Sequence, residues 1–307
     1  MIILENINDI HKSSRGRCIS IGNFDGIHQG HMQLIKNTIE IARKKNLIST
    51  ILTFDPMPEE FFDSKDFFRL MEMSDKYQIF DELGIDQVIP ILFNKDFSEV
   101  NKDDFVRDIL INKLMLEHLI VGNDFQFGYQ RQGNISLLKS YANQGLYCLT
   151  VLDLVKTSNS KVSSRDIRAL IKDGRIKDAN TLMAMPFSLS GKVIHGEKRG
   201  RELGYPTANI EICNSYRING IFLVSILFEH KKLFGLASWG DKPTFSGKDH
   251  VLEINIFDFE SDIYGKDLKI IFLDKIRDQV KFNNKEDLID QMDQDKKLAE
   301  ILLRKLK

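Results

Sequence analysis

The sequence Gly22-Asn23-Phe24-Asp25-Gly26-Ile27-His28-Gln29-Gly30-His31 decides the fold of the first half of this chain. It follows an apolar run, residues 17–21, whose composition predicts a buried β-strand. After it, apolar residues recur at helical spacing over residues 32–42, and the basic residues 43–45 stand where a helix macrodipole favours cations. A strand, a glycine-bearing turn and a helix N-terminus together predict a phosphate-binding corner.

The residue types in this corner suit the binding of a nucleotide. Glycines let the backbone approach a phosphate, and the unpaired N–H groups of the first helical turn point toward it. His28 and His31 are three residues apart and share one face of that turn, so both imidazoles can donate to one phosphate chain. Such donors stabilise the charge that grows as an α-phosphate is attacked and pyrophosphate leaves. The tetrapeptide His-x-Gly-His alone is a weak signal, because a histidine in such a turn is often a cap or core residue.

The rest of the first half alternates between buried strands and amphipathic helices. Strands are predicted over residues 47–54, 88–93, 119–122 and 146–151, with helices over residues 74–83, 102–115 and 135–144. This alternation predicts a doubly wound, parallel sheet in an α/β domain. Ligands bind beyond the carboxyl ends of such strands, and His28, Pro56 and Asn123 stand at these ends.

The periodicity changes after about residue 187. Short apolar runs over residues 190–195, 221–228, 234–239, 251–258 and 268–273 are separated by polar, glycine-containing turns. This pattern predicts a small antiparallel β-barrel, closed by an amphipathic helix over residues 285–303. We place the domain boundary near Met185-Pro186, which gives domains of residues 1–185 and 186–307, with the helices of residues 164–183 in the first.

Composition limits the class of protein. A length of 307 residues allows two cores, and 42% hydrophobic and 28% charged residues are ordinary for a soluble protein. The formal net charge of −1 argues against a broad nucleic-acid or membrane surface, so small-molecule partners are expected. The three cysteines, Cys18, Cys148 and Cys213, are too widely spaced for a disulfide framework. With no signal-peptide pattern and no apolar run long enough to span a bilayer, we expect a cytoplasmic protein.

The second half carries a glycine-bearing loop over residues 191–209. Backbone N–H groups freed by glycines can cradle a triphosphate. Thr207 and Asn209 are two residues apart on a strand, so they face the same side and can share one hard cation through oxygen. Glu253 alternates with apolar Leu252 and Ile254 and projects away from the core, either as a solvated carboxylate or as a base for a hydroxyl group.

Two further segments of the first half carry polar and glycine-rich patterns. Residues 122–128, followed by Arg131 and Gly133, form either a surface turn or a ligand loop at the end of a strand. Arg131 is either an anion contact or a solvated surface residue. Ser163 and Ser164 can cap a helix and bind a phosphate at the same time, with Arg168 one turn later, although an ordinary cap has the same pattern.

In the form Gly-x-Phe-Asp-Gly-x-His-x-Gly-His, the first motif resembles the signature of the prokaryotic bifunctional riboflavin kinase/FAD synthetase family. Segments over residues 122–133, 162–168, 191–209, 238–245 and 276–282 are similar to motifs of that family in the same order. The chain departs from the family pattern at two positions. Met57 stands where the family usually has histidine, and Arg165 where threonine is expected.

The resemblance implies a bifunctional enzyme that uses ATP and Mg²⁺. The C-terminal barrel would phosphorylate riboflavin to FMN, and the N-terminal domain would adenylylate FMN to FAD with release of pyrophosphate. The implied catalytic residues are Glu253, as the base, with His28 and His31, and the implied magnesium contacts are Thr207 and Asn209. Nucleotide or flavin contacts are expected in the first domain at Gly22, Phe24, Asp25, Gly26, Gly30, Asp124, Phe127, Gly128, Arg131, Ser163, Ser164 and Arg168. In the second they are expected at Gly191, His195, Gly196, Lys198, Gly200, Gly204, Pro206 and Arg277.

Two alternatives remain at this point. The departures at Met57 and Arg165 allow a monofunctional riboflavin kinase whose first domain has lost adenylyl transfer. A non-catalytic, flavin-binding regulator is the other alternative, although a sensor has no use for the carboxylate of Glu253 or for magnesium ligands at residues 206–209. Trp239, the only tryptophan, suits either stacking on a flavin or a place in the barrel core.

Overall fold

The structure is a computed structural model that describes residues 1–5, 7, 10, 15–62, 67–153, 156–157, 160–195, 204–212, 218–229, 231–240, 251–282 and 284–305. The chain divides into two compact units, Met1–Ser163 and Ser164–Lys307. Gly196, Lys198 and Gly200, together with residues 241–245 of the second half, lie outside the described residues.

The first unit is built on a parallel sheet. Its strands in the described residues are β1 (Ile2–Ile3), β2 (Arg17–Ile21), β3 (Ile48–Phe54), β4 (Gln87–Ile91), β5 (Leu116–Gly122) and β6 (Cys148–Leu152). Their order is β1-β4-β3-β2-β5-β6, and all neighbouring pairs are parallel. The order reverses at β2, because β3 and β4 extend to one side of it and β5 and β6 to the other. The predicted doubly wound sheet is confirmed, and its ligand-binding edge lies where β2 ends.

Helices connect these strands. They are α1 (Gln29–Lys45), α2 (Pro58–Phe61), α3 (Met73–Leu83), α4 (Lys95–Ser98), α5 (Lys102–Asp104) and α6 (Ile135–Asn143). A π-helical segment, Phe105–Lys113, continues α5 where the sequence predicts an α-helix. Helix α1 buries Leu34, Ile35 and Ile39 and packs on β2 and β3. A short antiparallel hairpin, β7 (Lys156–Thr157) and β8 (Ser160–Lys161), completes the unit.

The second unit begins with α7 (Ser164–Lys172) and α8 (Ile176–Leu182) and ends with α9 (Lys285–Lys305). Between them lie β9 (Ser188–Ile194), β10 (Ala208–Glu211), β11 (Gly220–Phe228), β12 (Lys231–Trp239), β13 (Val251–Ile256) and β14 (Asp267–Arg277). These strands form a closed antiparallel barrel in the order β10-β13-β12-β11-β14-β9. The predicted barrel with a terminal helix is confirmed. In the described ranges, no helix is long and apolar enough to cross a membrane.

Alternation along the barrel strands separates its core from its outer surface. Leu252 and Ile254 on β13 and Ile210 on β10 are fully buried, as a small barrel filled with side chains requires. Trp239 is 1% exposed, and its ring lies 5.7 Å from that of Phe272. Of the two interpretations of Trp239, the structure therefore supports the core position.

Helices α7 and α8 belong with the barrel by their contacts. Asn180 of α8 donates from Nδ2 to the carbonyl of Phe272 at 2.8 Å and accepts from the backbone N–H of Phe187 at 2.8 Å. The sequence assigns these helices to the first domain, whereas the structure groups them with the second unit. As a division between the two activities, the boundary at Met185-Pro186 stays a prediction.

Candidate active sites

The turn between β2 and α1 is strained and buried. Phe24 and Ile27 have positive φ angles of 48° and 38°, and Gly26 has a φ of 79°. A positive φ costs a non-glycine residue about 1–3 kcal/mol, so surrounding contacts must hold the turn in this conformation. Phe24 is fully buried and packs edge-on against Phe80, with 5.6 Å between ring centroids. The structure therefore places the Phe24 side chain in the core, which does not favour the predicted ligand contact.

Asp25 ties this turn to the segment that precedes α3. Its carboxylate is 1% exposed and accepts hydrogen bonds from the backbone N–H groups of Leu70, at 3.0 and 3.1 Å, and Met71, at 3.2 Å. These bonds join parts of the chain 45 residues apart. Asp25 therefore helps to position the corner, and its predicted nucleotide contact stays a prediction.

His28 and His31 lie together at the start of α1. His28 is the N-cap residue, and the two imidazoles stack with 3.8 Å between centroids and 20° between planes. Burial, with smaller effects of His28 and Lys76, lowers the pKa of His31 well below 6.5, so this imidazole is neutral at pH 7. Nδ1 of His31 is buried and has no hydrogen-bond partner among the described residues. Because buried polar atoms are normally hydrogen-bonded, this atom favours a ligand at the corner.

The three glycines of the corner differ in burial and in backbone conformation. Gly22 is partly exposed, whereas Gly26 and Gly30 are buried at the turn and in the first turn of α1. The positive φ of Gly26 is the conformation that glycine adopts without a steric penalty. Contacts between these backbone amides and a phosphate remain predictions.

The loop after β5 is shaped by close packing. The rings of Phe125 and Phe127 stack at 5.5 Å, and Phe127 pairs with Gly133 in an isolated antiparallel bridge. Gly128 has a φ of 72°, and a Cβ there would lie 2.7 Å from the Cα of Lys102. Gly128 and Phe127, 7% exposed, therefore hold the loop in shape. Asp124 and Arg131 are exposed on the same loop and remain candidates for ligand contact.

A cluster of aromatic side chains surrounds the ends of β3 and β4. Phe61 and Phe62 on and after α2 both contact the ring of Phe93, at 5.5 and 5.9 Å, and Phe54 contacts Phe93 at 5.9 Å. Phe62 is 65% exposed and Phe61 37% exposed. An exposed aromatic wall at the ligand-binding edge of a sheet suits a flat heterocycle. No local sequence pattern predicted this cluster, because its members come from separate parts of the chain.

Ser163, Ser164 and Arg168 lie at the division between the units. Ser163 ends the first unit, and Ser164 and Arg168 lie on α7 of the second, where Ile167 and Ile171 form the buried face. Arg165, the residue that departs from the family pattern, is exposed. The predicted phosphate contacts of the two serines and Arg168 remain predictions.

On the barrel, three polar side chains line up across neighbouring strands. Glu253 on β13 is directly opposite Asn209 on β10 and directly opposite Ser238 on β12. Opposite residues in adjacent strands lie on the same face, with Cβ atoms about 5 Å apart. The neighbours Leu252 and Ile254 point into the core, so this row lies on the outer face.

The segment that leads into β10 is fixed beside this row. Asn255 donates from Nδ2 to the carbonyl of Pro206 at 2.8 Å, which holds Pro206 and Thr207 next to β13. Thr207, two residues before Asn209, is only partly buried. The structure therefore brings together Thr207, Asn209 and Glu253, the three residues that the sequence predicts for this site.

The residues of the glycine-bearing loop that are predicted to bind nucleotide lie in different environments. At Gly191 a Cβ would lie 2.3 Å from the carbonyl oxygen of Glu211, so this glycine allows β9 and β10 to pair and close the barrel. This packing role does not favour the predicted nucleotide contact at Gly191. His195 stacks on Tyr264 with 4.0 Å between centroids, and Gly204 has a φ of 80°. His195 and Gly204 keep their predicted roles as expectations.

Helix α9 holds two residues near this site through carboxylates. Arg277, at the end of β14, donates from Nε and Nη2 to Asp295, at 2.9 and 2.7 Å, and Asp295 is 4% exposed. The hydroxyl of Tyr205, next to Pro206, donates to Asp293. This contact and burial, the larger cause, raise the pKa of Tyr205 to about 12. No local sequence pattern indicated Asp293 or Asp295, because their partners are 88 and 18 residues away.

We expect Asp295→Asn to weaken both the second unit and its substrate binding. Removal of one partner of a buried ion pair leaves the other charge uncompensated, so the free energy of unfolding should fall by about 3 kcal/mol. The Michaelis constants of the second unit's reaction should rise because Arg277 loses its fixed orientation. Urea unfolding and steady-state kinetics would check this. Asp290→Asn, an exposed position on α9, is the matched control, and equal stability of the two variants would contradict the expectation.

Comparisons with known proteins identify the family of each half of the chain. The FAD synthetase family model matches residues 10–166, and the riboflavin kinase family model matches residues 183–303. A bifunctional riboflavin kinase/FMN adenylyltransferase of Buchnera aphidicola (subspecies Schizaphis graminum) is 37% identical over 96% of both chains. The Escherichia coli K12 protein of the same name is 31% identical over 97% of both chains.

A solved structure from Streptococcus pneumoniae also has this fold. It is described as a macrolide-efflux protein, is 30% identical, and superposes with a TM-score of 0.85 over 97% of this chain and 98% of its own. The two family models and the full-length relatives point to one combination of activities, the phosphorylation of riboflavin to FMN and the adenylylation of FMN to FAD. The chain therefore belongs to the bifunctional riboflavin kinase/FMN adenylyltransferase family.

Proposed function

We propose that Glu253, Asn209 and Thr207 form the phosphoryl-transfer site of the second unit. The observation that carries this proposal is the register that sets Asn209 opposite Glu253 on the outer face of the barrel. In the reaction, the 5′-hydroxyl oxygen of the ribityl chain attacks the γ-phosphorus of ATP, and Glu253 accepts the hydroxyl proton. The bond from the γ-phosphorus to the bridging oxygen breaks, and ADP leaves.

The donor set beside Glu253 fits a magnesium ion. A threonine hydroxyl and an asparagine carbonyl are hard oxygen ligands of the kind that Mg²⁺ prefers, and both belong to the segment that Asn255 holds in place. Thr207 and Asn209 would hold the ion. Bound there, it would offset negative charge on the phosphates of ATP.

For the first unit, we propose that His28 and His31 bind the phosphates of a second ATP. A phosphate oxygen of FMN attacks the α-phosphorus, the bond to the pyrophosphate oxygen breaks, and pyrophosphate leaves. The imidazoles of His28 and His31 donate N–H hydrogen bonds to the oxygens on which charge grows. The stacked arrangement and the low pKa of His31 support this role.

The flavin ring of FMN needs an apolar surface near this corner. We propose that the exposed rings of Phe61 and Phe62 supply it, since they extend an aromatic cluster at the carboxyl ends of β3 and β4. Asp124, on the loop after β5, is the candidate for polar contact with the flavin or the nucleotide. Cys18 and Cys148 are free thiols, which suits a reducing compartment, and we place the enzyme in the cytoplasm.

One assay tests the two activities together. Purified protein incubated with riboflavin, ATP and Mg²⁺ should yield FMN first and then FAD, separated by chromatography, and a chelator of divalent cations should stop both steps. A monofunctional kinase, the alternative raised by Met57 and Arg165, would stop at FMN. A flavin-binding regulator would produce neither flavin. Either outcome would overturn the corresponding part of the proposal.

A further inference from the structure

Lys76 is buried where a positive charge is costly. It lies in the first turn of α3, and its side chain is 0% exposed. The N-terminus of a helix carries the positive end of the macrodipole, which disfavours a cation. Burial of an ammonium group also carries a large desolvation cost unless a counter-charge is present. A lysine retained under both penalties calls for a role outside folding.

The groups in direct contact with Lys76 carry no formal negative charge. Its Nζ donates to the carbonyl oxygen of Asn23 at 3.1 Å and lies 3.9 Å from the sulfur of Met57. In the part of the chain that the structure describes, no carboxylate forms an ion pair with it. Burial lowers the pKa of Lys76, and the carboxylates of Asp25, Asp55 and Glu60 act against this shift without a direct ion pair. Asp55 and Glu60 form ion pairs with Arg69, at 2.6 and 2.7 Å.

The carbonyl that Lys76 holds belongs to the catalytic corner. Asn23 immediately precedes Phe24, whose positive φ marks the strained turn before His28. The hydroxyl of Thr53 also donates to this carbonyl, at the longer distance of 3.4 Å. The positive charge of Lys76 acts on His31 as well, where it favours the neutral imidazole. Lys76 is therefore linked to both the backbone and the side chains of the corner.

We propose that Lys76 is a positioning residue for adenylyl transfer. Its buried ammonium group holds the strained turn in place and supplies positive charge near the phosphate chain of ATP. The phosphates of a bound nucleotide would add to the negative charge that Asp25, Asp55 and Glu60 already supply near Lys76. This inference rests on the adenylyl-transfer activity proposed for the first unit.

Lys76→Met tests the proposal, because methionine is similar in length and carries no charge. Loss of a charged donor should lower kcat/KM for FAD formation from supplied FMN by about 10- to 100-fold. Removal of a buried charge should leave the melting temperature unchanged or raise it, which separates this role from a structural one. Lys76→Arg, which keeps the charge, should recover part of the activity. Riboflavin phosphorylation by the same molecules should not change.

The possible results for these variants distinguish a failure of this inference from a failure of the proposed function. Lys139→Met, at an exposed position on α6, is the matched control and should behave as the wild type in both assays. Wild-type FAD formation by Lys76→Met would overturn the inference and leave the proposed function intact. A lowered melting temperature or a misfolded first unit in Lys76→Met would assign the residue to the fold and also overturn it. Failure of the wild-type protein to form FAD would instead overturn the proposed function itself.

Discussion

Glu253→Gln is expected to lower the rate of riboflavin phosphorylation by about 10³-fold, the loss typical of a removed general base. The amide keeps the size of the side chain and its place opposite Asn209, so ATP should still bind. The effect should therefore fall on kcat, with little change in the Michaelis constant for ATP. Initial rates of FMN formation from riboflavin, measured at saturating ATP and Mg²⁺, would check this.

The same molecules contain a control for folding. FAD formation from supplied FMN depends on the first unit and should be unchanged in Glu253→Gln. Glu229→Gln, at an exposed carboxylate between β11 and β12, should leave both activities unchanged. A Glu253→Gln variant with the wild-type rate of phosphorylation would remove the base from Glu253, while the assignment of the second unit as a kinase would stand.

His31→Ala is expected to lower the rate of FAD formation by about 10²- to 10³-fold, the cost of removing one donor to a transition-state oxygen. The imidazole of His31 stacks on that of His28, so the variant also leaves His28 less well oriented. Since His31 is neutral at pH 7, its loss removes an N–H donor and not a formal charge. Single-turnover formation of FAD from FMN and ATP would isolate the chemical step.

Gln29→Ala changes an exposed neighbour in the same turn and serves as the matched control. Its rates should match those of the wild-type protein. Riboflavin phosphorylation should be unaffected in both variants. If His31→Ala formed FAD at the wild-type rate, the corner after β2 would no longer be the site of adenylyl transfer.

Local sequence patterns were sufficient to predict strands in which burial follows a regular pattern along the chain. The run over residues 17–21 is buried along its whole length as β2, and a continuous apolar run is what a strand covered on both faces requires. The alternation around Glu253 correctly indicated an outward carboxylate, because the neighbouring residues fill the barrel. The pairing of Asn209 with Glu253, in contrast, depends on strand register, which no local pattern contains.

The missed elements share a physical cause. Strand β1 is two residues long and exposed, so it has neither the length nor the burial pattern of a strand in the sequence. The packing roles of the glycines at positions 128 and 191 were not predicted, because they depend on backbone segments that approach from elsewhere in the chain; their nucleotide contacts stay predictions. Lys76, Asp295 and the phenylalanine cluster likewise owe their environment to tertiary contacts.

The brevity of β1 has a consequence for solubility. Strand β1 pairs with β4 through Ile2 and Ile3, so it covers part of the hydrogen-bonding edge that β4 would otherwise present. Long, flat edges are templates on which other chains add strands and begin to aggregate, whereas a two-residue edge offers few bonding groups to an incoming strand. On the β1 side the parallel sheet thus ends in a segment that is too short to seed intermolecular growth, whereas β6 forms the other edge; in the closed barrel of the second unit each strand is paired on both sides.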